Sequence, residues 1–509
     1  MLRSRKGGME FSSIFFIWVF LPISLIAYYF SFKLPLKEKS HIKLLNGVLL
    51  VLSLVFYLRS GIKNLLLMII MILLNYGAGL WIDCFSGEGE AFRKSRKGVF
   101  IASLILNVCI LIFFKYFNMM VTLADILVTH WRNIPGLLFA LVKFEGPGTV
   151  QFHQIAMPLA ISYTTFQSIS YLADIYKGRI KAESSLLDYS LFACFFAQLV
   201  QGPIMRYQEL GSQLGTRTHS PRQFSEGINR FCCGLGKKVL IGNTLAATAN
   251  KIWNKPAADL STTEAWLGIF LFTMQLYYDF SGYTDMAVGL GRMFGFKISE
   301  NFNYPFTSHS VQEFWRRWHM TLSSWFRDYI YIPLGGNRKG SRRTYINIFI
   351  VFLLTGIWHG ANLNYIIWGI FVAVSNLLER LFLGSLLRKN PIKPLNCIYS
   401  FFVFMMGLVL FRAPNLYHAA KYYTALFSGI SEKPGNEVLS YFNGELFIAL
   451  IISVLCAGFL QRAFEPVRSR FGATVPFVLF RTAFSIAIFV LSLMFIMNGS
   501  YNPSIYAAF

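Results

Sequence analysis

TYINIFIVFLLTGIWHGANLNYIIWGIFVAVSNLLERLF, residues 344–382, contains two apolar runs, 344–360 and 363–382, separated by a short Gly-Ala-Asn break. Each run has about the length that a helix needs to cross the roughly 30 Å hydrocarbon layer of a bilayer. The stretch reads as two consecutive membrane spans. One residue in it stands out: His359, in GIWHGA. An imidazole at membrane depth is costly and marks a site rather than filler. A second histidine, His319, lies forty positions earlier in FWRRWHMTLSSWFRDY.

The same apolar pattern recurs along the chain, near 11–32, 44–58, 64–82, 98–117, 152–175, 229–253, 264–294, 396–412, 445–461 and 475–497. Together these make about twelve spans. Of the 509 residues, 55% are hydrophobic and only 14% charged, a composition outside that of soluble domains. The expected architecture is an all-α polytopic membrane protein, one embedded domain over residues 1–509 with no separate soluble unit. Within it, 152–382 form the core that carries the chemistry and 396–509 the C-terminal helices. The first span is too long for a secretory signal and lacks a small-residue cleavage site, so it reads as a retained helix. Residues 1–8 read as a start-site extension, because Met9 opens a complete start of its own.

The net charge of +23 is spread in short clusters between apolar runs, which excludes a nucleic-acid-binding face and fits the positive-inside rule. Lys33, Lys37, Lys39 and Lys43, then Arg93, Lys94, Arg96 and Lys97, then Lys177, Arg179 and Lys181 mark cytoplasmic loops. Arg338, Lys339, Arg342 and Arg343 fall on the same side, as do Arg388, Lys389 and Lys393, and Arg462, Arg468 and Arg470. Both termini then face outside a bacterial cytoplasmic membrane. The seven cysteines have no C-x-x-C or framework spacing and read as small core hydrophobes.

Three segments depart from simple spans. In 229–253, Lys237 and Lys238 argue for a tilted, buried or broken helix; 188–206, with Gln198, Gln201 and Gly202-Pro203, reads as re-entrant or interfacial. In Asn301–Gly336, Phe314, Trp318, Leu322 and Trp325 share one helical face while Arg316, His319, Ser323 and Arg327 share another. This predicts an amphipathic interfacial helix ending at Pro333 and Gly335-Gly336.

His359 is suited to act as a general base on a hydroxyl, with Gly356 and Gly360 permitting close approach and Trp358 forming a flat apolar wall. The alternative is a core histidine bonded to a neighbouring carbonyl. His319 reads either as a second acid/base or donor-orienting group or as an interfacial residue snorkelling beside its arginines. Asp174, Asp279 and Asp285 are expected to be structural ion pairs, with Arg292, Arg316, Arg317 or Lys115 as partners. No metal-binding spacing, phosphate-binding glycine loop or nucleophile elbow occurs; Gly289, Gly291 and Gly295 read as helix-packing residues.

In MPLAISYTTFQSISYLADIYKG (157–178), YYDFSGYTDMAVGLGRMFGF (277–296), NFNYPFTSHSVQEFWRRWHMTLSSWFRDYIYIPLGGNRKG (301–340) and GIWHGANLNYIIWG (356–369), the chain resembles the membrane-bound O-acyltransferase family. Within that family it is similar to the bacterial alginate O-acetylation subgroup. It departs mildly at Ala160, where the subgroup usually has glycine, and at AQLVQGP, 197–203. The resemblance implies a helical ring around a tunnel, with His359 and His319 as the family's histidines. It also implies transfer of an acetyl group from a cytoplasmic thioester, such as acetyl-CoA, for O-acetylation of an exported polysaccharide, in concert with an extracytoplasmic acetyltransferase partner. No bound cofactor or metal is expected; the lipid bilayer, donor and polysaccharide are the partners. Arg316, Arg317, Arg327 and Lys339 are expected to meet donor phosphates, and Trp358, Ser323 and Asn362 to line the substrate site. Two rivals remain: D-alanyl transfer toward teichoic acid, and a polysaccharide transporter or flippase, the latter without any inverted hydropathy repeat in its favour.

Overall fold

A computed structural model describes residues 9–87, 89–145, 155–428, 436–472 and 474–499. The expected extension at 1–8 and the start of the 152–175 span lie outside these. Among the described residues the regular structure is all helical. Six helices among the described residues are long and apolar enough to cross a membrane: Glu38–Leu58, Ile62–Cys84, Glu90–His130, Leu363–Lys389, Lys393–Arg412 and Val475–Met497. Gly444–Leu455 and Phe459–Phe471 make a seventh if counted together, with a 59° bend between them. The other expected spans are also helical. They are shorter, as in Phe16–Phe32 and Ile161–Tyr176, or more polar, as in Gly340–His359.

The spine is Thr262–Met293, in which every residue from Leu271 to Gly291 is buried. A helix covered on all sides can carry polar residues only if neighbours satisfy them. The neighbour is the stretch Pro221–Gly236, Lys237–Gly242 and Asn243–Trp253, which runs on without a break through a π-helical turn. Lys238 pairs with Asp279, and Lys237 and Arg230 each lie 2.7 Å from Asp285. Asp174 meets Arg179 at 3.1 Å and accepts a hydrogen bond from Tyr329. The ion-pair reading of these acids holds, but the partners differ from those expected. For Asp279 and Asp285 the cations come from a neighbouring helix far away in the sequence, whereas Arg179 lies only five residues from Asp174.

Glycines set the distance between these two helices. A Cβ on Gly234 would lie 2.6 Å from the Gly282 carbonyl oxygen and one on Gly282 2.7 Å from that of Gly234; Gly227 and Gly289 repeat the reciprocal contact one heptad away. Gly282→Val is therefore expected to cost about 1–3 kcal/mol through overpacking. A melting temperature in detergent equal to the parent's would show that the helices can part freely.

Two apolar clusters flank the spine. One gathers the N-terminal helices with Tyr283–Met293 and Leu322–Tyr329; the other gathers Ala265–Phe280, Phe306–Trp318 and the helices after Trp368. The 188–206 piece is a short helix, Leu186–Cys194, followed by buried turns inside the first cluster. The chain between Trp318 and Leu322 passes from one cluster to the other, and the histidines lie at that seam.

Candidate active site

The expected single amphipathic helix over Asn301–Gly336 is not formed. The segment is Val311–Arg317, then Met320–Phe326, then a π-helical turn Arg327–Tyr331, with the break at Trp318 and His319. His319 adopts the left-handed conformation, φ 46° and ψ 53°, a strain of about 1–3 kcal/mol that persists only where surroundings enforce it. They do so through the preceding strand-like stretch. Met320 N–H donates to the Asn301 carbonyl (2.9 Å) and Asn303 N–H to the Arg317 carbonyl (2.9 Å), while Asn301 Oδ1 lies 3.1 Å from His319 Nδ1. These contacts, together with Thr321 N–H donating to Asn301 Oδ1, take the place of helical hydrogen bonds at the break.

His359 is the last residue of Gly340–His359, and Gly360 continues in extended conformation toward Leu363–Leu378. The two helices touch through glycine: a Cβ on Gly369 would stand 2.6 Å from the Phe352 carbonyl oxygen and 3.1 Å from Gly356 Cα. Lys115 and Tyr116, from the long helix Glu90–His130, donate to the carbonyls of Trp358 and Ile357, which the helix end leaves without intrahelical partners. The imidazole sits among Trp358, Trp368 and Phe411, with ring centroids 4.9, 5.0 and 5.2 Å away. Among the described residues nothing hydrogen-bonds to its nitrogens. The alternative of a core histidine tied to a carbonyl is thus not what the chain builds.

A cavity of about 260 Å³ joins the two histidines, each less than a tenth exposed. Ile348, Val351, Phe352, Thr355 and His359 line it along one face of their helix. Ile348 to His359 is eleven residues, about 16 Å of rise. The mouth carries exposed Arg316, Arg327 and Arg380, and the inner end the imidazoles. From Arg327 the chain leads directly into the basic stretch Arg338–Arg343 at the start of the His359 helix, so mouth and basic loop share one side.

Arg316, Ser323 and Arg327 line the cavity as expected from the sequence; four other expected site residues do not. Arg317 turns to Glu313 (2.5 Å) and Thr307, because an acid one helical turn away offers a closer partner. Asn362 caps Leu363–Leu378 by accepting from Asn364 N–H and donates to the Pro414 carbonyl. Trp358 stacks on Phe166, ring centroids 5.3 Å apart, and its ring meets both imidazoles. Lys339 also lies outside the lining.

A sequence model of the membrane-bound O-acyltransferase family matches residues 177–418. The chain is 38% identical over 460 residues to the probable alginate O-acetylase of Pseudomonas aeruginosa, covering 90% of this chain and 82% of the relative. The peptidoglycan O-acetyltransferase of Helicobacter pylori is 33% identical over 484 residues, 88% of this chain and 86% of the relative. This chain belongs to the membrane-bound O-acyltransferase family. It is an acyltransferase that crosses the membrane several times. A third relative, the teichoic acid D-alanyltransferase of Bacillus subtilis, is 34% identical over 238 residues, 44% of this chain and 58% of that one.

Four residues that sequence reasoning did not single out line the same cavity. Arg380 and Gln312 stand at the cavity mouth, and Asn376 and Thr355 line it further along. Arg380 carries the only available signal, a charge in the last turns of an apolar span, and its level opposite Arg316 follows only from the antiparallel packing. Among the described residues no three metal-binding side chains gather.

Proposed function

We propose that this protein moves an acetyl group from a thioester donor on the side of the basic loops to a hydroxyl supplied from the opposite side, leading to O-acetylation of an exported polysaccharide. The observation that carries this reading is one cavity with an arginine mouth and a deep His359 to which no described residue hydrogen-bonds. The two O-acetyl-transferring relatives match nearly the whole chain, whereas the D-alanyltransferase matches less than half, which favours acetyl over D-alanyl transfer.

In this mechanism Arg316, Arg327 and Arg380 hold the donor's phosphates as charge-assisted hydrogen-bond donors. The acyl end, freed of any need to carry those anions into hydrocarbon, lies along the face from Ile348 to Thr355. His359 takes the proton of the acceptor hydroxyl as the new oxygen–carbonyl bond forms; the carbon–sulfur bond breaks and the proton passes to the departing thiolate. The immediate acceptor is the polysaccharide or an extracytoplasmic acetyltransferase partner that hands the group on. The catalytic core falls within residues 152–382, followed by the C-terminal part of the chain at 396–509, in a bacterial cytoplasmic membrane with both termini outside.

Purified protein in liposomes, supplied with labelled acetyl-CoA and a polysaccharide acceptor with or without the partner, tests the reading. Transfer of label to sugar or partner is expected; label transferred only from a D-alanyl carrier protein would select the rival donor. Neutralising the mouth, Arg316→Gln with Arg327→Gln and Arg380→Gln, is expected to raise the donor KM about tenfold, in line with ~1.5 kcal/mol for contacts to charged groups, and to flatten its salt dependence. An unchanged donor KM would leave these arginines with a topological role alone.

A further inference from the structure

At the inner end of the cavity, Ile204, Thr321, Asn301 and His319 are linked by hydrogen bonds that converge on Asn301 Oδ1. Ile204 N–H donates to Thr321 Oγ1 at 3.0 Å, and the Thr321 hydroxyl lies 2.9 Å from Asn301 Oδ1. The Thr321 backbone N–H donates to the same oxygen at 3.2 Å. A backbone N–H can only donate, so the atom it meets is the amide oxygen and not the nitrogen; this fixes which way the Asn301 side chain is turned. His319 Nδ1, 3.1 Å from that oxygen, must then carry a proton to bond with it. In a neutral imidazole the other nitrogen, Nε2, is left as a bare acceptor. The ring lines the cavity, and Nδ1 is the edge turned into protein.

We propose that Asn301 is a positioning residue that holds His319 in its Nδ1–H form, so that the ring meets a bound ligand only as a hydrogen-bond acceptor through Nε2. This rests on the reading of the cavity as the acyl-transfer site. The neutral ring then cannot donate to the oxygen that becomes negative as the thioester is attacked. It receives an O–H or N–H of the ligand, orienting that group against His359, whose ring has no fixed partner and stays free to move the proton. The choice of amide over carboxylate fits this division. Asn301 Nδ2 is buried without a hydrogen-bond partner among the described residues; an aspartate would keep the Oδ1 contacts but put an unpaired carboxylate oxygen in its place and set a negative charge against the imidazole.

Charged and titratable groups near His319 are His359 beyond Trp358, Lys115 on the Trp358 carbonyl, and Arg316, Arg327 and Arg380 at the mouth. Among the described residues no carboxylate lines the cavity with them; Asp328, 2.7 Å from Arg327, lies outside the lining. Two variants carry the test. Asn301→Ala, with its fold monitored by melting temperature and its donor KM measured, is expected to lower kcat at least tenfold while KM stays within about twofold. Asn301→Asp keeps the acceptor contacts; it is expected to restore much of kcat and to move the acid limb of the pH–activity profile to higher pH, because the new carboxylate favours the protonated ring. A purely structural cap would also be restored by aspartate, but with the parent's pH profile. An unshifted acid limb in Asn301→Asp, or parental kcat in folded Asn301→Ala, overturns the assignment. If His359→Ala retains full acetylation, the functional reading itself fails. If His359→Ala is inactive while the Asn301 variants behave as the parent, only the present inference fails.

Discussion

His359→Ala is expected to abolish acetylation of the product in cells while polymer export continues, and to reduce label transfer by purified protein about 10²- to 10⁴-fold, the usual contribution of a positioned general base. That range corresponds to about 3–5.5 kcal/mol in the barrier. The folded protein should survive the change, since the imidazole is held by aromatic neighbours rather than by hydrogen bonds. Mass spectrometry of the polysaccharide checks acetylation, and polymer yield checks export. Retained acetylation would remove His359 from the chemistry, and export lost together with acetylation would favour a transporter.

Asp279→Ala is expected to lose about 3–5 kcal/mol of stability, because removing one partner of a buried pair leaves the other charge uncompensated. The side chains of Lys238 and Asp279 are each 4% exposed, and the pair joins the spine to the helix beside it. The amount of monodisperse protein extracted in detergent and its melting temperature should both fall. Replacing both partners, Lys238→Met with Asp279→Leu, is expected to recover much of the loss, since apolar side chains of similar size need no compensation. A double variant as unstable as the single one would point to a cost outside the pair.

The membrane character of the chain was legible because hydrocarbon demands long apolar runs, and those are visible in one dimension. The stretch at Asn301–Gly336 shows where such legibility stops. Phe314 and Trp318 pack into one cluster and Leu322 and Trp325 into the other. Their helical spacing is genuine, yet spacing records which residues share a face and says nothing of a backbone that turns at His319. The turn is enforced by Asn301, eighteen positions earlier, through bonds that no periodicity encodes. Arg316 and Arg317 are neighbours with the same charge, and only Glu313 and the cavity wall separate their roles.

By itself the sequence determined an all-helical membrane protein of the O-acyltransferase family and pointed to His319 and His359, since burying polar groups in lipid is costly enough to leave a mark in composition. The tertiary structure alone decided that these histidines share a cavity, that Arg380 joins Arg316 and Arg327 at its mouth, and that Lys238 answers Asp279. Each of those outcomes depends on which helices lie side by side. Short-range forces act between atoms a few ångströms apart, whatever their separation along the chain, and only packing brings such atoms together.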